Sequence, residues 1–177
     1  ESNKDKFIER FSKSYVLTKD IDLSGESIVP IGIYRLKTKT DPQITKQAFT
    51  GSFSGLFVLD GTKQKYSITG IKIDINSIYL SISKDMYLGL FAENNGNISD
   101  LTIQYSVINM FMSATQNPEN SQSVNKNYSL YFGGVSAINK KTIENCNVQI
   151  NSCGIETYFG NNFIGAVVGK NQTTENE

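Results

Sequence analysis

Three windows of this 177-residue chain repeat one another, and that repetition narrows the folds open to it. Leu88-Gly89-Leu90-Phe91-Ala92-Glu93-Asn94, Phe132-Gly133-Gly134-Val135-Ser136-Ala137-Ile138-Asn139 and Ile164-Gly165-Ala166-Val167-Val168-Gly169-Lys170-Asn171 follow one pattern. Each runs apolar, small, apolar, small, with an asparagine two places later. The match continues past the asparagine. Ile98, Leu101 and Ile103 follow Asn94 at offsets of four, seven and nine, and Ile143, Cys146 and Val148 follow Asn139 at the same offsets. Ile68, Ile71 and Ile73, with Gly70 between them, read as a further copy of that tail. The windows lie 45 and then 32 residues apart. The longer interval holds residues 113–127, rich in Asn, Gln and Ser, which read as a loop thrown outward.

The segments Ile71-Lys72-Ile73-Asp74-Ile75, Leu101-Thr102-Ile103 and Cys146-Asn147-Val148-Gln149-Ile150 alternate apolar with polar, the period of a strand with one buried face. No helical-period segment follows them, so βαβ units are excluded, and type I′ hairpin signals are scarce. Short strands of this kind bury their faces by stacking on equivalents from the next repeat, which gives an all-β solenoid with parallel strands and like residues in columns. The small residue pairs Gly89 and Ala92, Gly134 and Ala137, and Ala166 and Gly169 suit tight corners. Asn94, Asn139 and Asn171 then fall at equivalent corners, either as an internal amide ladder or as three separate surface turns. Phe7, Ile8 and Phe11 recur at helical spacing, so residues 1–14 are expected to form a short helical cap over the open end of a repeat domain spanning 15–177.

Composition removes several chemistries. The chain has no histidine, which excludes Ser-His and Cys-His nucleophilic catalysis and His-containing zinc sites. Lys plus Arg and Asp plus Glu both total 17, so no field draws the chain to nucleic acid or to an anionic membrane. No apolar run is long enough for membrane insertion. The ends, Glu1-Ser2-Asn3 and Thr173-Thr174-Glu175-Asn176-Glu177, read as those of a mature product or a segment of something longer. Cys146 and Cys153 fit no metal or redox motif and read as small apolar side chains, at least one of them buried, with a local disulfide as the alternative. Asn97, Asn127 and Asn171 open Asn-x-Ser/Thr sequons, a number this composition produces by chance, so they permit N-glycosylation without indicating it.

At these residues the chain resembles the bacterial GLUG motif, named for a Gly-Leu-hydrophobic-Gly quartet. The quartets here are Gly89-Leu90-Phe91-Ala92, Gly134-Val135-Ser136-Ala137 and Ala166-Val167-Val168-Gly169. Tyr15-Val16-Leu17-Thr18-Lys19-Asp20-Ile21-Asp22-Leu23-Ser24-Gly25 with Pro30-Ile31-Gly32 is similar to the lead-in of such domains, as is Phe49-Thr50-Gly51-Ser52-Phe53-Ser54-Gly55 with Tyr66-Ser67-Ile68-Thr69-Gly70-Ile71-Lys72-Ile73. The resemblance implies a right-handed parallel β-helix of a secreted or surface protein. Adhesins and the non-catalytic N-terminal parts of immunoglobulin A1-cleaving metallopeptidases are the examples. It brings no catalytic residue and no cofactor with it.

Residue chemistry points the same way. A β-helical lyase needs a basic residue and a carboxylate cluster, yet Arg10 falls in the expected cap and Arg35 in a polar loop. Asp20 and Asp22 form the one dense acidic pair, and a solvated strand face outweighs a weak cation site there. Tyr79, Tyr87, Tyr105, Tyr128, Tyr131 and Tyr158 are placed near strand edges and loops, where ring faces stack on sugars or on a protein, against the alternative of half-buried stripes. The expectation is a non-catalytic extracellular scaffold or adhesion domain of a cell-surface protein that meets a protein or glycan partner. The alternatives are a subunit of an extracellular filament, self-associating through open solenoid ends, and the substrate-recognition domain of a surface protease.

Overall fold

The computed structural model describes residues 8–24, 26–36, 43–74, 85–111, 128–157 and 159–172. Among them nearly all regular structure is β, and the only helix is one turn over residues 8–10. Strands are numbered in chain order. They form four parallel sheets, and within each the strands lie side by side in the order of the sequence.

The first sheet holds β1 (Ser14–Val16), β5 (Ser52–Ser54), β11 (Asn97–Ser99) and β15 (Thr142–Glu144). Its register puts Tyr15, Phe53, Ile98 and Ile143 in one column. The second holds β2 (Ile21–Asp22), β8 (Ser67–Asp74), β12 (Thr102–Phe111) and β16 (Asn147–Ile150), and β17 (Cys153–Glu156) also pairs with β12. Here Ile21, Ile68, Ile103 and Val148 share a column. The third holds β9 (Met86–Leu88), β13 (Ser129–Gly133) and β18 (Asn161–Gly165), and the fourth β10 (Phe91–Asn94), β14 (Ser136–Asn139) and β19 (Val168–Asn171).

The core is made of these inward columns. Ile71, Ile98, Leu101, Ile103, Tyr105, Leu130 and Phe91 are all fully buried. Ile68 and Ile71 lie three apart, which a strict period of two sends to opposite faces. Gly70, at a φ of 72°, takes up the extra residue where β8 slips against Ile103 and Tyr105 of β12, so both isoleucines face inward. A second irregularity lies between the third and fourth sheets. Leu88 aligns with Phe132 and Ile164, and Phe91 aligns with Ser136 and Val168, so the later two repeats carry one residue more at this corner than the first.

Two antiparallel hairpins interrupt the pattern. β3 (Ile33–Leu36) pairs with β4 (Gln43–Lys46), and β6 (Leu56–Leu59) with β7 (Thr62–Lys65). Each leaves the parallel framework and returns at nearly the same point. Gln47 N donates to Gly32 O at 2.7 Å, and Tyr66 N to Gly55 O at 2.8 Å. The flanking residues stay in register, since Ile31 still bridges Phe91 and Phe49 still bridges Asn94. The second hairpin corrects the expected position of the isoleucine tail. Ile68 pairs with Ile103, and Phe53 takes the place opposite Ile98, because β6 and β7 intervene between them. It also carries one of the few hairpin signals in the sequence. Asp60-Gly61, both with positive φ (49° and 78°), is the turn that a two-residue hairpin demands.

Of the expected cap, residues 1–7 lie outside the described residues. Phe11 joins the core, Ile8 is exposed rather than packed, and Ser14 already belongs to β1.

Candidate functional site

The best-defined polar arrangement sits at the corner that ends β10, β14 and β19. Asn94 Nδ2 donates to Asn139 Oδ1 at 2.8 Å, and Asn139 Nδ2 donates to Asn171 Oδ1 at 2.9 Å. Each of the first two asparagines also grips the peptide two residues further on. Gly96 N donates to Asn94 Oδ1 at 3.0 Å and Asn94 Nδ2 to Gly96 O at 3.1 Å, while Asn139 Nδ2 donates to Lys141 O at 2.9 Å. Asn94 is fully buried, so these bonds replace the water that its amide gave up. On the N-terminal side of Asn94 the column position belongs to Phe49, whose ring lies 5.0 Å from that of Phe91.

Beside the corner lies a buried carboxylate. Glu93 is 6% exposed and accepts two ammonium groups, Lys140 Nζ at 2.8 Å and Lys46 Nζ from the end of β4. Burial pushes the Glu93 carboxyl up, but the hydrogen bonds and charges of Lys140 and Lys46 outweigh it and hold the group below its ordinary value. The contact ties the first hairpin to β10.

On the third sheet Tyr87, Tyr131 and Phe163 stack in register. Their centroids are 5.2 and 5.0 Å apart and their planes differ by 5° and 4°. Lys46 Nζ lies 4.3 Å from the Tyr87 centroid and Lys170 Nζ 4.9 Å from that of Phe163. The ring faces are therefore taken by neighbouring rings and by ammonium groups, and a ligand on this surface meets ring edges and lysines. Tyr105 belongs to the core: it is fully buried in β12 and its hydroxyl donates to Gly134 O at 2.7 Å. Tyr128 packs against the core, and Tyr79 and Tyr158 lie outside the described residues.

Asp20 and Asp22 do not converge on a common point. Asp20 Oδ1 accepts from the backbone and hydroxyl of Ser67 at 2.7 and 2.8 Å, and Asp22 Oδ1 from those of Ser24 at 2.9 and 2.6 Å. These serine bonds hold both carboxyls below the ordinary range. Among the described residues no three metal-ligating side chains group together. Both cysteines are free thiols. Cys146 is half-buried against the core and Cys153 is exposed, so the expected buried cysteine is met only in part, by Cys146, because both lie on edge strands or just beside them. Burial raises both thiols above their ordinary value, the opposite of an activated nucleophile.

Among the sequon asparagines, Asn97 is exposed at the start of β11, Asn171 has its side-chain oxygen engaged by Asn139, and Asn127 lies outside the described residues, as does the 113–127 segment. Sequence reasoning missed the Glu93 clamp, the aromatic column and both hairpins. The Asp60-Gly61 pair was the available signal for one hairpin, and the shared phase of Tyr87 and Tyr131 before their windows was the signal for the column.

No family model, no curated protein and no solved structure matches the chain.

Proposed function

We propose that this chain is a non-catalytic scaffold or adhesion domain of an extracellular or cell-surface protein, built as a right-handed parallel β-helix of the GLUG-repeat kind. The observation that carries this reading is the register. Every parallel sheet orders its strands as the sequence does, and the three asparagines that close the repeat windows are hydrogen-bonded in turn. Stacked coils give that relationship in all four sheets at once. The Tyr87–Tyr131–Phe163 column with Lys46 and Lys170 then supplies a stiff display surface for a glycan or protein partner. A glycan and host-protein array tests the adhesion reading. A saturable hit weakened by Lys170→Glu supports it, and no specific hit across both arrays removes it.

A second reading, a subunit of an extracellular filament, draws on the last strands. Among the described residues β18 and β19 have a pairing neighbour on one side only, and Ile164 within β18 and Val167 just before β19 are 52% and 36% exposed. Electron microscopy of the native material separates the two readings, with filaments expected under the second alone.

A further inference from the structure

Asn95-Gly96 is the only Asn-Gly step in the sequence. Such a step is the one most open to succinimide formation, because glycine carries no Cβ to hinder its backbone nitrogen, and asparagine is a thermolabile residue. Asn95 is exposed, while Gly96 is buried. The Gly96 main chain is gripped by Asn94, two residues earlier: the Gly96 N–H donates to Asn94 Oδ1 at 3.0 Å and the Gly96 carbonyl accepts from Asn94 Nδ2 at 3.1 Å. The flanking peptides are fixed as well. Asn95 N donates to Phe49 O at 2.7 Å and Asn97 N to Gly51 O at 2.9 Å. A Cβ on Gly96 would lie 2.1 Å from Gly51 O, so the main chain at residue 51 packs directly against Gly96.

We propose that Asn95-Gly96 is a site of spontaneous deamidation that the asparagine ladder holds shut. In the reaction Gly96 N bonds to Asn95 Cγ, the Cγ–Nδ2 bond breaks, and ammonia leaves with the proton that Gly96 gave up. Water then opens the cyclic imide at either carbonyl, giving aspartate or isoaspartate at position 95. The attack needs the Gly96 nitrogen freed from Asn94 Oδ1 and the Asn95–Gly96 peptide free to rotate; Asn94 prevents the first and, together with the bonds to Phe49 O and Gly51 O, the second. The ladder thus has a chemical task in addition to its packing task. Once it opens, a new carboxylate or an extra backbone methylene at the corner records the event irreversibly. This goes beyond the scaffold reading and does not depend on it.

The test is peptide mapping by mass spectrometry of the full chain held at neutral pH and 37 °C. Native wild type is expected to deamidate Asn95 at least about tenfold more slowly than the same chain in urea. Folded Asn94→Ala is expected to react about tenfold faster than folded wild type, whereas Asn171→Ala, which removes the far end of the ladder without touching Gly96, keeps the wild-type rate. Equal rates in native buffer and in urea, or a folded Asn94→Ala at the wild-type rate, overturn the proposal. If Asn94→Ala does not fold, hydrogen exchange of the wild type decides. Protection of Gly96 N–H that falls in step with rising deamidation as urea is added supports the proposal, and a freely exchanging Gly96 N–H beside an intact Asn95 overturns it.

Discussion

The Asn94 side chain donates to the amide oxygen of Asn139 at 2.8 Å, joining two residues 45 positions apart in the chain. An apolar column tolerates a shift of register by two residues, since one methyl replaces another. A primary amide does not, because its oxygen and its NH₂ must each meet the opposite kind of group. A slip of one residue between β10 and β14 would set Asn94 against Lys140 in one direction or Ile138 in the other and leave a buried amide unsatisfied. The ladder therefore selects the register that the columns fill.

Asn139→Ala removes the acceptor of Asn94 and the donor to Asn171 together. It is expected to lower stability by about 1–3 kcal/mol, the cost of leaving buried amide groups unpaired. Urea unfolding checks this: the midpoint falls while the slope is unchanged. Asn171→Ala, at the exposed end of the ladder, is expected to cost less.

Glu93 is 6% exposed between Lys46 and Lys140, and Glu93→Gln is expected to cost about 1–2 kcal/mol, below the value for a fully buried pair because both lysines reach water. The pH dependence follows from the direction of the shift. The folded carboxyl titrates below its ordinary 4.5, so its stabilisation is complete above that pH and is lost as pH falls through the folded value. Thermal melts from neutral to acidic pH are expected to show a drop in wild type that Glu93→Gln lacks in part.

Burial holds the Tyr105 hydroxyl above the ordinary phenol value of 10.0. A phenol that ionises more readily in the unfolded chain contributes stability below pH 10.0 that is lost as pH rises through the folded value. Tyr105→Phe, which deletes the 2.7 Å bond to Gly134 O, is expected to cost about 1 kcal/mol near neutral pH and to blunt the alkaline decline. Tyrosinate absorbance checks the assignment, since the Tyr105 signal appears only together with unfolding.

Gly89 has a φ of 142°, and a Cβ there would stand 2.1 Å from Gly133 O. Gly89→Ala combines backbone strain with a clash against a main-chain atom and is expected to cost about 3 kcal/mol or more. Circular dichroism melts would show a large loss, and a wild-type melt would mean that the corner is not fixed as described.

The β character, the strand positions and the phase of the asparagines were legible because period-two alternation and repeated offsets are local signals. Ile98 and Ile143 align as their shared offset predicts. Ile68 does not, because ten residues of inserted hairpin, Leu56–Lys65, change its distance from the corner without changing its apolar pattern. Tyr105 was misplaced for a related reason. A tyrosine in an alternating strand carries no mark of which face it takes, and the bulges in β12 and β8 settle that in three dimensions. The Glu93 clamp takes Lys46 from β4, a strand that does not pair with β10, so no spacing rule reaches that contact.

The hairpin junctions have a consequence for how such a chain can grow. Each excursion closes behind itself with one main-chain bond, Gln47 to Gly32 or Tyr66 to Gly55. Whatever is threaded between those doorposts is held to the parallel framework at its base, where Lys46 and Lys65 also reach Glu93 and Asp100. New surface can be acquired, lengthened or exchanged at these two points by evolution or by engineering, while the stacked rows behind them keep their places.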